Sequence, residues 1–302
     1  MMRTRRWVSG VLGATAAAWL AAADVRADAQ TPATVGGRPR FPYCQIVDRF
    51  PDPLHGAELT IVPSQSVDDA GSFGLVEMRG WTEFGYFRMN RGELSLSSEA
   101  RLWFPTSGGG LDLPDAWLHW WLRTRWDIRG YNGFTVRLEA EPGFYADVSA
   151  LPSGFELPFG ITGIQSFDDG FSGFVGLKVR PTDRRVLDPA AGLRISPTDA
   201  LLFDIGYPDM RALLRLTPEV TAVVGAEWNR QREFELDDHE RGDRLRYRES
   251  RLYGAVRLAL DRVWHVEIRG GVVMGRQVGI KGDGDRDMEG GPFFTIGVGG
   301  TF

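Results

Sequence analysis

The chain reads as all-β, a closed antiparallel transmembrane β-barrel of about twelve strands, and three observations predict it. Segment after segment alternates apolar and polar residues with a period of two, as strands do when their two faces meet different surroundings. Short connections alternate with long ones. The final stretch, Pro292 to Phe302, keeps strict alternation to the last residue, as expected of a strand that pairs with the first one and so leaves no sheet edge.

The chain opens with Arg3, Arg5 and Arg6, an alanine-rich apolar run from Trp7 to Ala23, and small residues at Ala27-Asp28-Ala29. This is the pattern of a signal peptide, residues 1–29, cleaved after Ala29 or at the nearby Val25-Arg26-Ala27, and it predicts export. Its removal takes away four arginines (Arg3, Arg5, Arg6, Arg26) and two aspartates (Asp24, Asp28), so the formal charge moves from -5 to -7. A nucleic-acid partner is therefore not expected. Hydrophobic residues make up 43% of the 302 and mean hydropathy is -0.21, values close to a soluble protein. In a barrel only every second strand residue meets lipid, so such an average is compatible with a membrane. No later stretch approaches the roughly 20 apolar residues of a spanning helix.

Residues 30–55 are rich in Pro, Gly and Thr and predict an irregular periplasmic lead-in. The only cysteine, Cys44, lies in it, which excludes an intramolecular disulfide and reads as an incidental thiol. The barrel then occupies residues 56–302.

The first strand, near Ala57 to Val62, sets Leu59 and Ile61 against Glu58 and Thr60. The second, through Val76 to Tyr86, ends at the turn Asn90-Arg91-Gly92. Glu93 to Phe104, Ala116 to Ile128 and Phe134 to Val148 give the next three, each longer than the roughly 5–6 residues usual in soluble sheets. Residues 149 to 170 read as the longest loop. Phe171 to Arg180 and Val186 to Ile195 follow. From Ala200 to Leu216 the apolar set changes parity, and either a bulge centred on Pro208 in one long strand or a tight hairpin would cause it. Val220 to Trp228, Tyr247 to Leu260, Trp264 to Met274 and the closing strand complete the set.

Connections around 89–92, 129–133, 181–185, 217–219 and 261–262 are short. Those around 105–115, 149–170, 232–246 and 277–291 are long, as in barrels with turns on one side and loops on the other. Ser196-Pro197-Thr198-Asp199 is an exception, a short turn on the long-loop side. An even strand count favours the bulge over the hairpin at Pro208. All eight tryptophans after the signal peptide fall within strands, several near strand ends where an aromatic girdle belongs.

The polar face carries both signs. Arg79, Arg101, Arg123, Arg125, Arg137, Glu139, Glu227, Arg251, Arg257, Glu267 and Arg269 are the candidate lumen-lining residues, with Glu77, Glu99, Lys178, Arg211 and Glu249 on the same face. Such charges could line a pore selective for small polar or anionic solutes, or pair across the lumen and close it.

Nothing points to catalysis. The four histidines are His55, His119, His239 and His265; no G-x-S-x-G occurs, and His119 and His265 read as lumen hydrogen-bonding groups. Asp283, Asp285, Asp287 and Glu289, and the cluster Glu235 to Asp243, could offer calcium ligands but do not meet the EF-hand spacing, so a metal remains unknown and no cofactor is implied.

Leu113-Pro114-Asp115, Glu141-Pro142-Gly143-Phe144-Tyr145-Ala146-Asp147, Ala191 to Asp199, Tyr247-Arg248-Glu249-Ser250-Arg251 and Gly275-Arg276, in that order, resemble an exported outer-membrane β-barrel family of unassigned function over residues 56–302. The closing Phe294, Ile296, Val298 and Phe302 resemble the assembly signal of bacterial outer-membrane barrels, with Gly300 departing from it. The resemblance implies the fold, the bacterial outer membrane, and two partners, its lipid and the barrel-assembly machinery. It supplies no activity and leaves the oligomeric state open. The expected roles, in order, are a narrow channel for small polar solutes, an envelope-structural or surface-interaction barrel, and a membrane-embedded hydrolase.

Overall fold

The computed structural model describes residues 53–67, 71–108, 113–147, 154–168, 170–181, 187–235, 244–280 and 284–301. Residues 1–29, read from the sequence as a signal peptide, and Cys44, His239, Asp283 and Phe302 lie outside the described residues.

Alternation is realised strand by strand, in antiparallel neighbours ordered as in sequence. β1 (His55–Val67), β2 (Gly71–Met89), β3 (Gly92–Gly108) and β4 (Trp117–Arg129) are each continuous. The next stave is built from β5 (Phe134–Ala140) and β6 (Gly143–Asp147), both paired to β4. It breaks at Glu141-Pro142, where proline has no N–H to give the ladder. β7 (Phe155–Glu156) and β8 (Phe159–Ser166) form one stave in the same way. β9 (Phe171–Val179), β10 (Leu187–Thr198), β11 (Leu201–Tyr207), β12 (Asp209–Arg215), β13 (Val220–Glu235), β14 (Arg244–Ala259) and β15 (Trp264–Ile280) follow, and β16 (Gly284–Met288) with β17 (Gly291–Gly300) makes the last stave.

β1 pairs with β2 on one side and with β17 on the other, from His55↔Gly300 to Ile61↔Phe294, and this closes the ring. Three of its staves are each made of two strands, so seventeen strands give fourteen staves.

The expected count of about twelve is corrected by two features. Residues 149 to 170 are not one long loop: residues 155–166 are a stave, with Phe159 and Ile161 facing out. Ala200 to Leu216 is a hairpin and not a bulged strand, with β11 and β12 paired from Leu201↔Leu214 to Asp204↔Arg211 and Pro208 alone between them. Adding the first stave also moves the connections 180–186 and 199–200 to the opposite side, and splitting Ala200 to Leu216 returns the later ones. At the end that holds His55 and Gly300 every turn spans two to four residues: 90–91, 130–133, 167–170, 199–200, 216–219 and 260–263. The turn after Thr198 is thus no exception, and the connection 180–186 belongs to the other end.

Outward positions are apolar and exposed, among them Leu59, Ile61, Val175, Leu193, Val256 and Ile296. Phe87, Trp126, Phe134, Phe167 and Trp264 stand out beside the short turns. Trp81, Trp103, Trp117 and Trp121 share the inward register of Glu99 and Arg101 instead, so these four do not belong to a girdle.

At the long-connection end an inward cluster of Phe73, Trp103, Trp117, Phe234 and Tyr247 fills one side of the barrel, with ring centroids 5.2–6.3 Å apart. There β6 and β13, with five staves between them one way round and seven the other, meet in parallel at Ala146↔Glu235. This bridge pinches the rim, and the aromatic cluster lies on its seven-stave side.

Candidate functional site

The eleven candidate lumen residues all carry the inward register. Arg79 lies opposite Arg101, Arg101 opposite His119, Arg125 opposite Glu139, Arg137 opposite Asp127, Glu227 opposite Arg251, and Arg257 opposite Glu267. Arg123, in phase with Arg125 on β4, and Arg269, in phase with Glu267 on β15, complete the set. Because cross-strand partners point to the same face, one inward charge fixes the side of its neighbours.

These charges pair. A knot on β1, β2, β3 and β14, buried except at Arg79, which is 30% exposed, holds Arg79 against Glu99 at 2.6 Å and Glu58 at 3.3 Å, Arg101 against Glu99 at 2.7 Å, and Arg251 against Glu249 at 2.6 Å and Glu77 at 3.1 Å. The Tyr247 hydroxyl donates to Glu249 at 2.6 Å. Glu77, Glu249 and Arg251 are almost sealed from solvent, with side chains 3–5% exposed. Nearby, Arg257 and Arg269 share Glu267 at 2.9 and 2.6 Å, and the Arg269 guanidinium lies 4.6 Å from the Tyr253 ring centroid.

The adjoining part of the wall, through β4 and β5 to β9, is more open. Arg123 and Lys178 both bind Glu141, Arg125 binds Glu139 at 2.9 Å, and Arg129 binds Glu93 at 2.5 Å. Here the cations stand clear of the carboxylates that hold them: Arg123 is 29% exposed over Glu141 at 4%, and Arg125 33% over Glu139 at 21%. Beside this stretch, several inward positions of β8 to β11 are small and half-buried, Gly160, Thr162, Gly176, Ala190, Gly192 and Gly206, among the larger inward side chains of Phe174, Lys178, Asp188, Arg194 and Asp204. This part of the wall therefore carries part-exposed guanidinium and ammonium groups on β4 and β9, beside the small inward residues of β8 to β11.

Glu58, Glu93, Asp127, Glu141 and the Arg194–Asp204 pair, 2.6 Å apart, belong to the same face and were not singled out as lumen residues from the sequence. Their parity was readable, but Glu141 sits at the break between β5 and β6, and Asp204 in the stretch whose parity change was assigned to a bulge. His119 is not a free lumen group: it lies between Trp121 and Tyr145, with ring centroids at 3.8 and 3.7 Å. Asp285 holds Arg246 at 2.8 Å, and Glu289 accepts from the Ser66 hydroxyl at 2.5 Å. Among the described residues no group of three or more His, Cys, Asp or Glu could hold a metal ion. Phe294, Ile296 and Val298 face outward on β17.

No family model and no curated protein matches the chain. Among solved structures it is similar to the NanC porin, at 10% identity and a TM-score of 0.42, over 82% of this chain and 100% of that one. The KdgM porin in complex with disordered oligogalacturonate gives 9% and 0.35 over 82% and 99%; an outer membrane channel from Pseudomonas putida F1 gives 8% and 0.40 over 83% and 96%. Likeness at this level assigns no function.

Proposed function

We propose that the protein is a bacterial outer-membrane barrel that passes small polar solutes through a narrow, lopsided lumen and favours anions. One observation carries the reading: on β4 and β9 the inward cations stand more open than their paired carboxylates, beside small inward side chains of β8 to β11. A solute there meets positive potential, although the wall as a whole is near charge balance. The apolar outward face, with aromatics beside the short turns, supports insertion in a bilayer. On this reading residues 1–29 are removed on export, the assembly machinery recognises the closing strand through Phe294, Ile296, Val298 and Phe302, and the protein has no catalytic role.

The test is reversal potential in a planar bilayer under a salt gradient. Wild type is expected to favour anions. Arg123→Gln and Arg125→Gln each remove about 1 kcal/mol of local attraction and shift the anion-to-cation ratio roughly fivefold toward cations. A second reading, a barrel without a pore, is favoured by the aromatic cluster and the β6–β13 bridge. It requires that no openings occur at any voltage, and that result would overturn the channel.

A further inference from the structure

Arg276, on β15 within the aromatic cluster, is 1% exposed and enters no ion pair among the described residues. Its Nε donates to the Tyr247 hydroxyl at 3.3 Å, and its guanidinium carbon lies 5.2 Å from the Phe73 ring centroid and 6.0 Å from that of Tyr247. That hydroxyl is itself committed to Glu249. Among the described residues Nη1 and Nη2 have no hydrogen-bond partner, and neither does the indole Nε1 of Trp117, which stacks on Phe73 at 6.3 Å and is fully buried. Every atom of this cluster left without a partner is thus a donor.

A guanidinium carries five N–H groups and no acceptor, and taking it out of water requires a counter-charge; aromatic faces offset only part of that cost. The other buried arginines meet the requirement with carboxylates, as Arg101 does with Glu99 and Arg251 with Glu249. Arg276 meets it with one shared hydroxyl. Nη1 and Nη2 form an edge that a planar, two-oxygen anion matches bidentately.

We propose that the cage of Phe73, Tyr247 and Arg276 is a binding site for a small carboxylate, held by the two free terminal nitrogens of Arg276. The site is separate from the open flank of the lumen and stands whether or not the barrel conducts.

The test uses the full mature barrel in detergent, with formate replacing gluconate, a bulkier carboxylate, at constant ionic strength. The unfolding midpoint, followed by near-ultraviolet circular dichroism, is expected to rise and saturate with formate. In Arg276→Met the rise is lost and the midpoint in gluconate is no lower than wild type; in Arg276→Lys, which keeps the charge without the fork, the response weakens. Equal midpoints in formate and gluconate for wild type, or an equal rise in Arg276→Met, would overturn the site. Saturation transfer from aromatic protons to the formate proton in wild type needs no variant; its absence in a folded barrel overturns the proposal as well.

Discussion

At the scale of single residues, burial decides what a lumen charge does. Arg251 lies between Glu77 and Glu249 with all three nearly sealed, so removing one partner strands a charge in low dielectric. Arg251→Met is expected to cost about 3–5 kcal/mol. Arg125, a third exposed over Glu139, is held in a screened pair, and Arg125→Gln should change stability by about 1 kcal/mol or less while still altering ion preference. Urea midpoints of the detergent-folded barrel separate the two cases, and equal losses would contradict this division of the wall. Sequence could place both arginines on the inward face but could not rank them, since depth depends on which staves the aromatic cluster covers.

At the scale of elements, the short turns are fixed by local chemistry. Between β14 and β15 the Asp261 carboxylate accepts the backbone N–H groups of Trp264 and Val263, each at 2.7 Å. These bonds, that from Trp264 first, favour the ionised form and hold the Asp261 pKa below its ordinary value. A depressed folded pKa gives support that is complete above the unfolded value of about 3.9 and is lost as pH falls through the lower folded one. The Val263 and Trp264 amide resonances should therefore titrate together with a midpoint below about 3.9 and cease to titrate in Asp261→Ala. A midpoint at or above that value would contradict the geometry. Elements also show where periodicity fails. Residues 155–166 escaped because Pro158, Gly160 and Gly163 interrupt the pattern and the inward positions are small, leaving little contrast between faces. At Pro208 a bulge and a hairpin reverse parity alike. The short turn at Ser196 to Asp199 on the wrong side was the available sign that a stave had been missed, because one extra stave moves the connections after it to the other end until a second restores the alternation.

At the scale of the whole molecule, the lumen is lopsided: aromatic side chains fill the seven-stave side of the bridge, and several glycines stand among the inward residues of β8 to β11 on the other. If solutes pass along that wall, bulk added there must narrow the path. Gly160 suits the test, because a Cβ at this position meets nothing closer than 3.5 Å. Gly160→Trp is expected to keep wild-type heat-dependent gel mobility and to lower single-channel conductance severalfold. Unchanged conductance in the folded variant would move the path elsewhere.

The sequence by itself determined the closed all-β architecture and the inward set of charges, because side chains alternate strictly along a strand and either face can be read from neighbours one or two residues away. Only the tertiary structure decided the fourteen staves, the pairing of each charge, the bridge between Ala146 and Glu235 and the isolation of Arg276. These depend on which residues of distant staves are brought level around the ring, and no local period encodes that stagger.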